Sequence, residues 1–382
     1  MAMSDDTYSK GLEGIIAAET KIARIDGESG KLYYRGYSIQ DLAQASDYEE
    51  TSYLLLHERL PSATELQTFR DSMRGSRALA PEIVSMIRNF PPDGAPMELL
   101  QSVLSYLSGY VAHKIQHSAT CNCRSTLHQV AQLPTVLAAY QRCREGAAPV
   151  EPRTDLSHGA NFLYMLRGEA PDAYEGEIMD RCFVLHAEHG FNASTFTARV
   201  VASTHSTCYC SISAAIGALY GALHGGANAR VLDMFDEIGG IDRIEEWLDQ
   251  AFATKRKVMG MGHRVYKAKD PRAVIMEADL TELCERKKDD HLQVFIRTFE
   301  KAFRRRMETK GKPIYPNVDF LSGAVYSMLG IPRDLFTPIF AVARSVGWLA
   351  HILEQRQDNR IYRPRGLYQG PEPRDYTPVA DR

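Results

Sequence analysis

The chain has 382 residues, 44% hydrophobic and 24% charged, with a formal net charge of −3. That length allows two domains, the composition is that of a soluble globular protein, and the faint negative charge argues against a nucleic-acid binder with a basic field. The start, MAMSDDTYSK, is acidic and has no apolar core, which speaks against a secretory signal, and no stretch approaches the ~18 apolar residues of a membrane span. Seven cysteines, an odd number spread through a long chain, do not make a disulfide framework, and a cytoplasmic protein with reduced thiols is expected.

In chain order, residues 21–26 and 31–34 read as two short strands around a glycine-bearing turn. Almost everything after them has helical period: 49–60, 97–112 and 127–142 carry apolar residues at i, i+3, i+4 and i+7. Pro61, Pro81, Pro134, Pro149, Pro171, Pro271, Pro313, Pro316 and Pro332 are expected to break the chain between helices or within connections. No strand–helix alternation is visible, which excludes Rossmann and TIM-barrel architectures, and neither GxxxxGK[ST] nor GxGxxG occurs. Two Cys-x-Cys pairs, Cys121/Cys123 with His117 nearby and Cys208/Cys210 with His205 nearby, raise a metal site. Structural zinc uses Cys-x₂₋₄-Cys and four ligands, so small buried side chains are the simpler reading.

Three later segments combine His or Asp with glycine in ways packing does not explain. Residues 221–228 read GALHGGAN; two glycines after His224 let backbone approach a ligand, and a helix starting there would aim free N–H groups at the same space. A helix–loop–helix joint with a capping histidine is the plainer alternative. Residues 255–267 read KRKVMGMGHRVYK, a glycine-spaced loop around His263 flanked by cations that suit a phosphorylated ligand; Arg272 follows behind Asp270 and Pro271. Residues 315–323 read YPNVDFLSG, with Asn317 as a helix N-cap and Asp319 in the first turn, where the dipole favours the ionised form wanted of a carboxylate base. Residues 335–353 are apolar nearly all round and mark a buried helix, with Arg344 at its middle. A buried guanidinium needs an anion. A structural Asp or Glu and a substrate carboxylate both satisfy that need.

Taken together, LHGGAN, GMGHRVYKAKDPR and PNVDFLSG resemble, in order and spacing, the active-site motifs of the citrate synthase family. The stretches LHAEHGFNAST (185–195), ARSVGWLAH (343–351) and NRIYRP (359–364) extend the resemblance, as do GLEG at residue 11 and YRGYS at residue 34. It most resembles the short bacterial, cyanobacterial-like members that start at GLEG, without the N-terminal domain of NADH-inhibited members, and implies no such regulation. Ala222, where proline is common, and TCYC at 207–210 depart from the pattern.

The resemblance implies a mainly α citrate synthase fold with a short N-terminal β-hairpin. A large helical domain would be formed by residues 1–225 and 330–382, and a smaller one by 226–329. It implies condensation of acetyl-CoA with oxaloacetate by a homodimer or a higher homo-oligomer, with Asp319 as base, His224 as hydrogen-bond donor to the thioester oxygen and His263 polarising the ketone. His189, Arg272, Arg344 and Arg363 would hold oxaloacetate, Arg363 from the neighbouring subunit. The loop of Lys257, Val258, Met259, Gly260 and Met261 would wrap CoA. No metal or redox cofactor is implied, nor a membrane or nucleic-acid partner. The alternatives are a 2-methylcitrate synthase using propionyl-CoA, which one methyl group does not separate by motif, and a non-catalytic helical assembly protein, which the presence of all three catalytic residues disfavours.

Overall fold

The computed structural model describes residues 8–110 and 124–382. Strands β1 (Ala23–Asp26), β2 (Lys31–Tyr34) and β3 (Tyr37–Ser38) form one antiparallel sheet in that order, with Ala23 opposite Tyr34 and Ile25 opposite Leu32. The hairpin matches expectation. β3 is a two-residue addition, too short to show a period. Leu32 and Tyr34 are fully buried, so one face of β2 anchors the sheet on the helices.

Sixteen α-helices follow among the described residues. The first five are α1 (Ile39–Ala45), α2 (Tyr48–His57), α3 (Ala63–Arg74), α4 (Pro81–Asn89) and α5 (Pro96–Leu107). Ser38, Asp47 and Ser62 cap the first three, Ser62 with Glu65 in a reciprocal capping box; Pro81 and Pro96 open the next two. After α6 (Arg124–Arg144) come α7 (His158–Arg167), α8 (Ala173–His186), α9 (Ala193–Ser203) and α10 (Cys208–Tyr220). Pro134 does not break the chain as expected: it lies inside α6. Leu133, Val136 and Leu137 around it are buried, and that packing outweighs one lost backbone hydrogen bond. The pair Cys121/Cys123, His117 and the end of the 97–112 helix reading lie outside the described residues.

The chain continues through α11 (Ala227–Ile238), α12 (Ile244–Ala253), α13 (Pro271–Lys287), α14 (His291–Glu308) and α15 (Val318–Met328). Phe235 of α11, Phe299 of α14 and Phe320 of α15 form an aromatic core, 5.5–5.8 Å apart centroid to centroid. α13 also reaches back to α1 and α8, where Arg181 pairs with buried Asp279.

The last helix, α16 (Phe336–Gln357), is longer than its sequence signal. Contrary to the expectation from composition, it is long and apolar enough to cross a membrane; most of it is buried inside the molecule instead. It passes very close to the turn after α8, where a Cβ on Gly347 would sit 2.2 Å from the Ala187 carbonyl oxygen. Only glycine fits there, and that contact brings Arg344 beside His186 and His189.

Candidate active site

His224 sits in the turn between α10 and α11, closed by its own N–H and that of Gly225 on the Gly221 carbonyl, at 2.9 and 3.1 Å. Its ring Nε2 accepts the backbone N–H of Ser194 at 3.2 Å and lies 2.9 Å from Ser194 Oγ. A backbone N–H can only donate, so Nε2 is bare and the neutral ring carries its hydrogen on Nδ1. Burial, with the Arg344 cation nearby, lowers the pKa to about 4, so the ring is neutral at physiological pH. Ser194 is itself held by Trp348, whose Nε1 donates at 3.2 Å. Sequence reading quoted Ser194 within a motif but gave it no role.

His263 follows the Gly-x-Gly loop. Its Nδ1 accepts the backbone N–H groups of Val265 (3.1 Å) and Tyr266 (3.2 Å), so the tautomer is the reverse of His224's and Nε2–H is the available donor. Burial and then the charge of Arg272 bring this pKa also to about 4. The His189 ring lies 5.2 Å from that of His263, and His189 Nε2 is 3.1 Å from the hydroxyl of Tyr266, a buried residue that spacing arguments missed. Burial, reinforced by Arg272, holds the His189 pKa well below the usual imidazole value.

The loop is stapled to the start of α15. Gly262 N–H donates to the Tyr315 carbonyl (2.8 Å), Asn317 N–H to the Gly260 carbonyl (2.9 Å), and Asn317 Nδ2 to the Gly262 carbonyl (2.8 Å). Gly260 makes the staple fit: its φ is +74°, and a Cβ would stand 2.8 Å from Val231 and 2.9 Å from Phe320. Val258, Met259 and Met261 pack partly into the core around it, while Lys257 faces solvent.

Asp319 stands in the first turn of α15, as its sequence suggests, with Asn317 Oδ1 accepting the Asp319 N–H at 3.0 Å. The dipole does not win, however. Burial raises the carboxyl to about 6, against the pull of Arg272 and weaker pulls of Arg230 and Arg344. A carboxylate of that basicity is better matched to proton abstraction near neutral pH than one at 4.

Two arginines serve this region, and they differ. Arg272 is buried against Asp270, with Nε–Oδ1 at 3.0 Å and Nη2–Oδ2 at 2.7 Å. Arg344 is 1% exposed; its Nε donates to the His186 carbonyl (2.6 Å) and its guanidinium lies 4.8 Å from the Phe340 ring. Its Nη2 is buried with no partner, and among the described residues no carboxylate pairs with it. Of the two sequence readings, the structural ion pair is absent. Glu188 is the nearest balancing charge, held by Gly190 N–H (2.5 Å) and His351 Nε2 (3.1 Å).

The structure thus brings His189, His224, His263, Arg272, Asp319 and Arg344 into one region. Arg363 is not among them: it follows α16 on the exposed stretch that begins after Asp358. Cys208 is buried with its sulfur 3.2 Å from Arg356 Nη1, Cys210 is exposed, and His205 Nε2 meets Asn359 instead. No trio of His, Cys, Asp or Glu is grouped to hold a metal among the described residues.

Two neutral imidazoles presenting N–H donors, a carboxylate poised near neutrality and an unmatched buried guanidinium are the parts of an enzyme that makes an enolate equivalent and adds it to an anionic ketone. The comparisons agree. The family model for the citrate synthase C-terminal domain matches residues 11–365. A citrate synthase of Synechocystis sp. is 41% identical, covering 100% of this chain and 96% of that protein. A citrate/2-methylcitrate synthase of Bacillus subtilis is 40% identical, covering 95% of this chain and 97% of that one. The solved citrate synthase of Thermoplasma acidophilum, a ternary complex with carboxymethyl coenzyme A and oxaloacetate, superposes with a TM-score of 0.92 at 31% identity, covering 98% of this chain and 100% of that one. The chain belongs to the citrate synthase family. Its activity is acyl transfer with conversion of acyl to alkyl: acetyl-CoA, oxaloacetate and water give citrate and CoA.

Proposed function

We propose that Asp319 removes a methyl proton from acetyl-CoA while His224 Nδ1–H hydrogen-bonds the thioester oxygen. The enolate carbon then attacks the oxaloacetate ketone, whose oxygen takes its hydrogen bond, and finally its proton, from His263 Nε2. Water cleaves the citryl thioester to release citrate and CoA. Arg344, Arg272 and His189 hold the two carboxylates of oxaloacetate, joined by Arg363 from the partner of a homodimer. The loop 257–261 wraps the CoA adenine, with Lys257 among the cations facing its phosphates. Residues 226–329 act as a small domain that closes on 1–225 and 330–382 and excludes water. The protein works in the cytoplasm, with neither metal nor redox cofactor.

The observation that carries this reading is the pair of opposite tautomers. Backbone N–H groups occupy Nε2 of His224 and Nδ1 of His263, leaving each ring one directed donor. Both rings stay neutral at the pH where Asp319 ionises. The roles are tested with His224→Ala and His263→Ala, each expected to fold normally and lose at least ~10²-fold in kcat; near wild-type turnover in either removes its assignment. Turnover with acetyl-CoA against propionyl-CoA settles the acyl preference. The shared site is tested by mixing Arg363→Ala with Asp319→Asn under subunit exchange. A mixed dimer collects both lesions in one pocket, so activity should reappear towards half of wild type; no recovery with exchange verified shows that Arg363 does not act across the dimer.

A further inference from the structure

The turn that carries His224 is poorly supported from outside. Ala222, Gly225 and Gly226 line a cavity of about 570 Å³, with Thr337 of α16 close over Gly225, so much of the turn's outer side is left open. What reaches the turn is Arg230, from the first turns of α11. Its Nε donates to the Gly226 carbonyl (3.0 Å), and its Nη2 donates to the carbonyls of Ala222 (3.0 Å) and Gly225 (2.7 Å). Carbonyls on both sides of His224 converge on one guanidinium.

Local helix chemistry does not explain that arginine. The start of a helix favours acids over bases, yet α11 has no acid in its first turn, no side-chain cap, and this cation four residues in. A planar fork of rigid donors does explain it, since a lysine ammonium on a flexible stem cannot span three carbonyls at fixed angles.

We propose that Arg230 is a positioning residue for the condensation: its guanidinium clamps the 222–226 turn and so sets the direction of His224 Nδ1–H. The inference rests on the role given to His224 above. The ring is tethered at Nε2 to Ser194, on a separate helix, while its backbone hangs on the turn. If the turn relaxes while the tether stays, the ring pivots and Nδ1–H swings away from the thioester oxygen. Oxaloacetate is held elsewhere, by groups Arg230 does not touch.

The test compares Arg230→Met, Arg230→Lys and His224→Ala in the full protein. It measures kcat, the oxaloacetate KM, exchange of acetyl-CoA methyl protons with solvent, and the urea midpoint. Arg230→Met and Arg230→Lys should both lose about 10- to 100-fold in kcat and in methyl exchange, the scale of a misplaced catalytic group. Their oxaloacetate KM should stay within about twofold and their urea midpoints near wild type. Three results overturn the clamp. They are kcat within twofold of wild type in Arg230→Met, full activity in Arg230→Lys, which would make charge alone the requirement, or a kcat loss matched by a rise in oxaloacetate KM and a lowered midpoint. If His224→Ala is itself near wild type, the role of His224 fails and the clamp with it. If His224→Ala is crippled and Arg230→Met is not, the clamp alone fails.

Discussion

Around Glu49 of α2, a fully buried carboxylate meets three guanidiniums: Arg74 at 2.6 Å, Arg77 at 3.0 Å and Arg70 at 3.4 Å, with Asp47 also paired to Arg70. Asp180 nearby is pushed up to about 8 by burial and by the charges of Asp47 and Glu49, which leaves it protonated at neutral pH. Every arginine of that cluster faces a carboxylate. In the region of His224 and Asp319, Arg272 is matched by Asp270, but Arg344 meets a carbonyl and a ring face and, among the described residues, no carboxylate. Single buried nitrogens without a hydrogen bond occur in both clusters, Nε of Arg70 and Arg77 in the first and Nη2 of Arg344 in the second. Both clusters are buried and rich in arginine, so burial of charge does not by itself mark a functional site. A buried guanidinium that no carboxylate faces does. The first cluster closes its charges within the chain and serves the fold; the second leaves a place for an anion from outside.

Breaking the first cluster should have the largest effect, and on stability alone. Glu49→Gln strands buried guanidiniums, a lesion that costs about 3–5 kcal/mol in urea unfolding, while turnover per folded molecule should be unchanged. Loss of turnover beyond the unfolded fraction would mean that this cluster also serves the site.

Asp319→Asn should do the reverse. Turnover should fall at least ~10²-fold, as expected for loss of a catalytic base. Stability at pH 7 to 8 should rise. The folded-state pKa of about 6 lies above the ordinary 3.8, so the folded protein binds this proton more tightly than the unfolded one. The charged form therefore penalises folding above pH 6, and the penalty fades as pH falls towards 4. The variant and wild type should converge in unfolding midpoint at pH 4; a variant less stable at pH 7 contradicts the burial argument.

A milder effect is the pH profile of the wild type. Because Asp319 protonates near 6 while His224 and His263 stay neutral down to about 4, kcat/KM should drop about tenfold per unit below pH 6 from a single ionisation. A bend near 4 with none near 6 would show that burial does not raise the carboxyl. The smallest expected effect is none: activity should survive prolonged EDTA. Loss on chelation, restored by zinc, would return attention to Cys208/Cys210 and Cys121/Cys123.

What the sequence disclosed here follows the range of the forces. The Asn317 cap and the place of Asp319 were legible because capping acts over two or three residues. The burial of Arg344 was legible because its own helix is apolar nearly all round. Whether an ion pair or a ligand met it was not, since that depends on what the 186–190 turn offers across Gly347. The same distance hid Ser194 and Tyr266, whose partners are 30 and 77 residues away along the chain. Arg230, in contrast, lies within 8 residues of its carbonyls and was hidden because only the folded turn points them at one guanidinium. The pKa of Asp319 went against the local dipole because desolvation is set by everything that packs over the group. Pro134 stayed helical for a like reason: its neighbours are buried on both sides.

The contrast between the two clusters is tested most directly by Arg344→Met, followed in urea unfolding with and without oxaloacetate. Without ligand, the variant should stay close to wild type, since no carboxylate bonds to Arg344 and Glu188 keeps its bonds to Gly190 N–H and His351. With oxaloacetate, the upward shift of midpoint seen in wild type should vanish, corresponding to a Kd weakened at least ~10²-fold. A variant that unfolds early without ligand, as Glu49→Gln should, or that keeps the wild-type oxaloacetate shift, would show that Arg344 serves the fold and is not the seat of the substrate anion.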